Sequence, residues 1–369
     1  MIEESDFLVL GGGIMGLLSA WELARTNTSI TLLEKGQLAK EASWAGGGII
    51  SPLYPWRYHD AVTALATWGQ DYYPQLAAEL NSLTGIDPEL VQDGLLMMAV
   101  EDASTALAWG VNFERPIEAV GRAFIYDKLP HLQPGYEHGV WMERVAQIRN
   151  PNLVKALVVA LRKCKNVKII ESTGELLLNR SEQTLLVHSR RQQYRGKTTI
   201  LCPGAWANEL LQQLHLTSTV EPVKGEMMLF KMPSRQFSPI ILAAGKYLIP
   251  RLDGHVLVGS TLEKVGFNRL PSQAAHHSLL QAVTNLLPEL INYPLVKQWS
   301  GLRPGTPSAI PYIGAIPGYE RVFINAGHFR NGLVLAPAST RLLADLILDR
   351  QPILPIQPYD PMQRLVQVS

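Results

Sequence analysis

Apolar positions along the chain follow two periods, and each change of period predicts an element. Phe7 to Leu10 is a continuous apolar run of strand length, and Ile14 to Arg25 repeats apolar residues at helical spacing. A second short run, Ile30 to Leu33, ends at Glu34. Strand, glycine turn, helix and strand make a βαβ unit. Farther on, Asn150 as N-cap and Pro151 at the first helical position predict a helix through Leu161. Val167 to Ile170 reads as a strand, and Leu176 to Leu178 with Leu185 to Val187 as a hairpin. Thr199 to Leu201 reads as a strand running into a Gly204 turn, with a helix from Asn208. Alternation over Val223 to Lys231, Tyr247 to Arg251 and His255 to Ser260, with an Asp253-Gly254 turn, predicts antiparallel strands. Ala274 to Leu287 is helical up to Pro288. Val322 to Ala326 enters the turn Gly327 to Gly332, and Leu333 to Leu348 follows as a helix that tolerates Pro337 in its first turns. The tail after Gln351, rich in Pro, reads as extended.

The fold class is therefore α/β: a Rossmann-like nucleotide-binding domain built from separated segments, with an antiparallel-sheet domain inserted. The segments 1–85, 145–220 and 306–369 are assigned to the first domain, and 86–144 and 221–305 to the second. The chemistry enters with the glycines. Gly11, Gly13 and Gly16 have G-x-G-x-x-G spacing immediately after the first strand. The first permits a tight turn, the second a close approach to a pyrophosphate, and the third close helix–strand packing; Glu34 stands where an acid takes a ribose hydroxyl pair. The run Ala42-Ser43-Trp44-Ala45-Gly46-Gly47-Gly48 either admits a flat ligand to the backbone or forms a flexible surface loop. Pro52 to Tyr58 either walls a pocket or packs a domain seam.

Composition narrows the partners. Of 369 residues 47% are hydrophobic and 18% charged, with a formal net charge of +1, which leaves no basic footprint for nucleic acid. Two cysteines, Cys164 and Cys202, make neither a disulfide framework nor a metal site, in keeping with a cytoplasmic protein. The acidic start, Glu3, Glu4 and Asp6, is unlike a secretory signal, and no apolar stretch approaches the ~20 residues of a membrane span. No membrane partner is expected.

Six motifs carry a resemblance. They are Gly11 to Gly16 with Glu34, Pro222 to Glu226, Tyr247 to Arg251, Gly301 to Gly305, Pro311 to Gly314 and Gly327 to Gly332. Together they resemble the D-amino-acid-oxidase-like flavoproteins over nearly the whole chain, and within them the glycine oxidases of thiamine thiazole synthesis. The resemblance implies FAD, which the fingerprint alone does not distinguish from a nicotinamide cofactor. It implies that Gly11, Gly13, Ile14, Met15 and Gly16 lie by the pyrophosphate, with Glu34 and Lys35 at the ribose and Glu175 near the adenine. Ala42, Ser43, Gly46, Gly47 and Gly48 would line the flavin, and His328, Phe329, Arg330, Asn331, Gly332, Leu333 and Val334 would close over its ring. The helix beginning near Asn331 would offer its positive end to charge developing on the ring.

For substrate the resemblance implies Arg303 as carboxylate ligand, Tyr247 as a hydrogen-bonding neighbour, and Arg330 either on the amine side or stabilising the reduced flavin. A guanidinium fork suits a carboxylate and stays charged at any working pH; the alternative is that Arg303 pairs with an acid in a domain seam. The implied reaction is hydride transfer from glycine, sarcosine or a small D-amino acid to FAD, giving an imine, then an oxo acid, ammonia and, with oxygen, hydrogen peroxide. Orientation and electrostatics carry it without a base, and His328 is read as a structural hydrogen-bonder. Relatives that tether flavin do so through a cysteine near Gly301; with none there, FAD is expected to be non-covalent. Some relatives place an oxygen-activating lysine where this chain has Leu262, and Lys264 shares that face only if the strand continues. Relatives imply a homo-oligomer, a tetramer. The rival readings are a D-amino-acid dehydrogenase that reduces a quinone, a flavin-carrying subunit of a larger complex, and a tRNA-modifying flavoprotein.

Overall fold

In the computed structural model, which describes residues 2–181, 184–190 and 192–368, two eight-stranded sheets organise the chain. Met1 and Ser369, the outer limits of the assigned segments, lie outside the described residues. The first sheet runs Tyr312–Ala315, Val322–Ala326, Gln193–Leu201, Ile2–Leu10, Ile30–Leu33, Val167–Ile170, and the hairpin Leu177–Ser181 with Thr184–His188 extends from Gln193–Leu201. Five adjacent strands, from Val322–Ala326 to Val167–Ile170, are parallel. The buried stretches Phe7 to Leu10 and Ile30–Leu33 near its middle read as unbroken runs rather than alternations. Leu10 is level with Leu33 on one side and Leu201 on the other, and Leu201 with Ile324. The loops leaving these strands therefore emerge together at one carboxyl edge, where doubly wound sheets bind ligands.

The second sheet runs Leu295–Gly305, Glu221–Lys231, His255–Gly259, Lys246–Pro250, Ile240–Ala243, Leu95–Met98, His138–Met142, Glu118–Gly121. It is antiparallel except where Ile240–Ala243 lies parallel to Leu95–Met98. The turn at Asp253-Gly254 forms as expected, with the Gly254 N–H on the Arg251 carbonyl. Glu221–Lys231 and Leu295–Gly305 pair in register from Glu221 to Leu229, with a shift between Leu229 and Phe230, which sets Val223 opposite Arg303.

Several boundaries differ from the expectation, each for a local reason. The helix after Arg149 begins at Asn150 rather than after it, because the Asn150 amide turns away from its own helix and donates to the Ser43 carbonyl at 3.2 Å. The strand His255–Gly259 ends before Lys264, which pairs with Glu221 at the surface instead of continuing along the face. The tail is not uniformly extended: it makes two 3₁₀ turns, and Val366–Gln367 pairs with Leu216–Thr217.

The 25-residue helix Asp60–Thr84 was not among the expected elements. It buries Val62, Leu65, Ala66, Tyr73, Leu76 and Leu80 against the helix Gly332–Ile347. Gly69 marks the crossing, since a Cβ there would lie 2.0 Å from the Val334 carbonyl oxygen. Pro337, having no N–H, leaves the Leu333 carbonyl without its intrahelical donor. The fully buried Tyr73 hydroxyl supplies one at 2.6 Å. Among the described residues no helix is long and apolar enough to cross a membrane.

Candidate functional site

The carboxyl edge of the first sheet opens into two joined cavities. The one toward its Glu34 end, about 1530 Å³, is bordered by Gly11, Gly13, Glu34, Lys35 and Glu175, with Pro203, Gly204 and Trp206 opposite. The other, about 1090 Å³, is bordered by Gly13, Ile14, Met15, Gly46, Gly47, Gly48, Tyr247, Arg303 and the turn His328 to Leu333. Gly13, Ala42, Ser43, Cys202 and Gly204 border both, so the two form one elongated space.

The fingerprint glycines have three different surroundings. Gly11 has φ +110°, and a Cβ there would meet the Cys202 carbonyl oxygen at 2.2 Å. Gly16 faces the strand instead of the cavity; its Cβ would lie 1.8 Å from the Gly11 oxygen. Gly13 has only the Ser43 hydroxyl near it, at 3.3 Å, which leaves its cavity side open. Ser43 Oγ accepts the Ile14 N–H at 2.8 Å and so fixes the helix start against the 42–48 turn. The Glu34 carboxylate accepts from Gly12 and Gly36 N–H groups at 2.7 and 2.8 Å, one on each oxygen. Each oxygen keeps a lone pair for a further donor. Lys35 stacks its ammonium 3.9 Å from the Trp206 ring centroid.

The turn Gly46 to Gly48 is held from the second sheet. Arg251, 4% exposed, donates to the Gly47 carbonyl at 2.8 Å and to Gln147 and Ile148 at 2.9 and 3.0 Å. Burial pulls its guanidinium pKa down to about 10, still cationic at neutral pH. At the other end of the cavity, His328 is buried with Nε2 3.1 Å from Ser339 Oγ, and burial holds its pKa down at about 3. A neutral, hydrogen-bonded imidazole fits a structural part in the turn. Of the expected residues only Gly16 and Val334 border neither cavity; Val334 turns into the helix crossing at Gly69.

Arg303 has no acid partner among the described residues, which disposes of a seam ion pair. Its guanidinium lies across Gly225, where a Cβ would be 2.1 Å from Nη1. It donates to Ser260 Oγ at 2.7 Å and to the Thr261 carbonyl at 3.1 Å. Burial lowers its pKa, Tyr247 beside it works the other way, and the Arg330 charge adds to the lowering. The Tyr247 hydroxyl rests against Met227 Sδ at 3.2 Å. A half-buried cation without a counter-ion, bordering an open cavity, is a place for an anionic group.

Sequence reasoning missed Asn150, Asn325, Ser260, Lys246, Trp206 and the part played by Arg251. Asn325 precedes the Gly327 turn on a buried strand, where an amide has no packing reason to be; that was its only signal. Asn150 Oδ1, both side-chain polar atoms of Asn325 and Asn331 Nδ2 are buried without partners, and all three residues border the cavity. Each such atom costs about 1–3 kcal/mol unless a ligand satisfies it.

A Gly-fingerprint βαβ unit, an acid at the second strand and a cavity closed by a late strand–turn–helix define a dinucleotide-dependent oxidoreductase. The model of the FAD dependent oxidoreductase family matches residues 6–346, and the chain belongs to that family. It is 46% identical to the glycine oxidase of Pseudomonas putida over 98% of this chain and all of that one. It is 29% identical to the bifunctional protein ThiO/ThiG of Trichormus variabilis, over 94% of this chain and 53% of that protein. Its fold matches the crystal structure of glycine oxidase from Geobacillus kaustophilus with a TM-score of 0.91, at 27% identity, over 97% of this chain and 98% of that one. The protein is an FAD-dependent enzyme, and its residues fit the cofactor: the elongated space runs from the Glu34 carboxylate, with acceptor capacity to spare, to three asparagines with unsatisfied amide atoms.

Proposed function

We propose that this enzyme oxidatively deaminates glycine, with sarcosine and small D-amino acids as further substrates, as a supplier for thiamine thiazole synthesis. The observation that carries the reading is Arg303: an acid-free guanidinium on Gly225, braced by Ser260 and Thr261, with Tyr247 beside it at the cavity. Similarity to proteins named glycine oxidase and ThiO/ThiG supports it. Bound FAD supplies a two-electron acceptor, so that glycine loses hydride and a proton, water converts the imine to glyoxylate and ammonia, and oxygen carries the electrons off as hydrogen peroxide.

The chain's own residues supply position and charge. Glu34 and Lys35 would hold the ribose, Gly13 to Met15 the pyrophosphate, and Glu175 would face the adenine. The turns 42–48 and 328–333 would sandwich the ring. Arg303 would take the carboxylate through its free N–H groups, fixing the α-carbon toward the cofactor; such orientation is worth several kcal/mol of barrier. The N-terminus of Gly332–Ile347 would stabilise negative charge on the reduced ring. Gly47 lets the turn pack close against the second sheet, since a Cβ there would lie 2.8 Å from Ile249 Cδ1. We further propose a homo-oligomer, a tetramer, to be checked by light scattering.

Anaerobic glycine should bleach the flavin of the holoenzyme, and air should restore it with one peroxide per glyoxylate. Bleaching without peroxide in air would favour the quinone-reducing alternative. Indifference to glycine, sarcosine and D-alanine alike would sink the reading.

A further inference from the structure

The substrate end of the cavity carries more positive charge than one carboxylate neutralises. Arg330, Ser260 and Leu53 border both the flavin-end cavity and an outer open cleft of about 1540 Å³, and Lys246 lies in that cleft. Lys246 and Arg303 are tied to one residue. The Lys246 ammonium donates to the Ser260 carbonyl at 3.0 Å, and Arg303 donates to the Ser260 hydroxyl at 2.7 Å. Among the described residues none of these three cations is paired with a carboxylate.

The acids nearby are engaged elsewhere. Asp102 is held by Arg57 and the Trp56 ring N–H. Glu263 is held by Lys224 and the Thr261 hydroxyl. Glu101, on the rim, adds its field to Arg57. Burial lowers the Lys246 pKa and the charges of Arg303 and Arg330 lower it further, against an opposing field from Glu263, so the three cations feel one another. Like charges held together in a cleft with low-dielectric walls are relieved by bound anion, and such a cleft concentrates anions before they bind.

We propose that Lys246, with Arg330, forms a second anion subsite beside Arg303, suited to an amino dicarboxylate: a glycine bearing a carboxylate arm on its nitrogen or its α-carbon. The subsite rests on the reading of Arg303 as ligand of the first carboxylate. Glycine would occupy only the inner position. An arm extended toward Ser260 would reach the ammonium.

Unreactive acids test this without turnover. Holoenzyme is titrated with malonate and with acetate at low ionic strength, following the flavin absorbance change. Malonate should bind at least tenfold more tightly than acetate. Lys246→Gln should bring that ratio close to one, and Lys246→Arg should keep it. Equal affinities in the wild type, or an undiminished preference in Lys246→Gln, would overturn the subsite. Steady-state comparison of iminodiacetate and D-aspartate with glycine gives the second readout, a KM rise in Lys246→Gln confined to the dicarboxylates. A variant slowed only in its reaction with oxygen, with the malonate preference intact, also overturns it. If acetate itself fails to perturb the flavin and glycine is inert, the Arg303 reading fails; if acetate binds and malonate is no better, only the subsite does.

Discussion

As the proposed carboxylate ligand, Arg303 would depend on what surrounds it as well as on its charge. Gly225 gives the guanidinium a flat floor, and Ser260 and Thr261 use some donors while leaving others for substrate. Gly225→Ala would put a methyl 2.1 Å from Nη1, so the fork must move. We expect KM for glycine to rise about tenfold or more with the flavin spectrum of the unliganded enzyme unchanged, measured by steady-state peroxide release. A second residue-scale prediction concerns His328. Its folded pKa of about 3 lies below its unfolded value of 6.5, so the neutral imidazole's contribution is full above pH 6.5. It is lost progressively as pH falls from there toward 3, by about 2 kcal/mol between pH 7 and 5. Urea midpoints at those pH values should show His328→Asn losing less stability on acidification than the wild type. At this scale the sequence made legible which residues border the cavity: Arg303 through its Gly-Leu-Arg-Pro-Gly motif and Glu34 through its place after the second strand. Ser260 and Lys246 were not legible, because their importance comes from a neighbour 43 positions away and from an accumulation of charge that only the folded chain assembles.

Elements with a continuous apolar run and a sharp boundary were readable in advance, and Ile30–Leu33 falls on its expected residues. Asp60–Thr84 was not, because Gly69 and Pro74 interrupt its pattern. The structure gives a reason for the glycine: it lets the helix cross the flavin-end helix at Val334. Pro337 and Tyr73 are a matched pair, one removing a donor from the Leu333 carbonyl and the other returning it. Tyr73→Phe should cost about 1–2 kcal/mol, read from denaturant midpoints, since it orphans a buried carbonyl. Asn150 carries the same lesson in reverse. A good N-cap residue by type spends its amide on the turn that walls the cavity, and a tertiary hydrogen bond overrides the local preference.

Across the whole molecule, parallel register brings the ends of Leu10, Leu33, Leu201 and Ile324 to one edge, and the second sheet lays Tyr247 and Arg303 over it. Sequence pattern reached both layers, because parallel and antiparallel strands leave different hydrophobic periods. It did not reach how the sheets join, which depends on single side chains such as Arg251 gripping the Gly47 carbonyl. Cys202, although it borders the cavity, is kept protonated by burial with a pKa near 12, so it is no nucleophile for a flavin tether. Acid precipitation should therefore release all the flavin. The apoprotein should also be less stable, by about 2.7 kcal/mol relative to protein holding FAD at a hundred times its Kd.

If Arg303 holds the carboxylate of glycine against FAD, anaerobic stopped-flow reduction of the flavin over a range of glycine concentrations will separate the wild type from Arg303→Ala. The apparent Kd for glycine should rise about a hundredfold or more in the variant, through loss of a charge-assisted carboxylate contact. Saturation at the same glycine concentration in both proteins would contradict it.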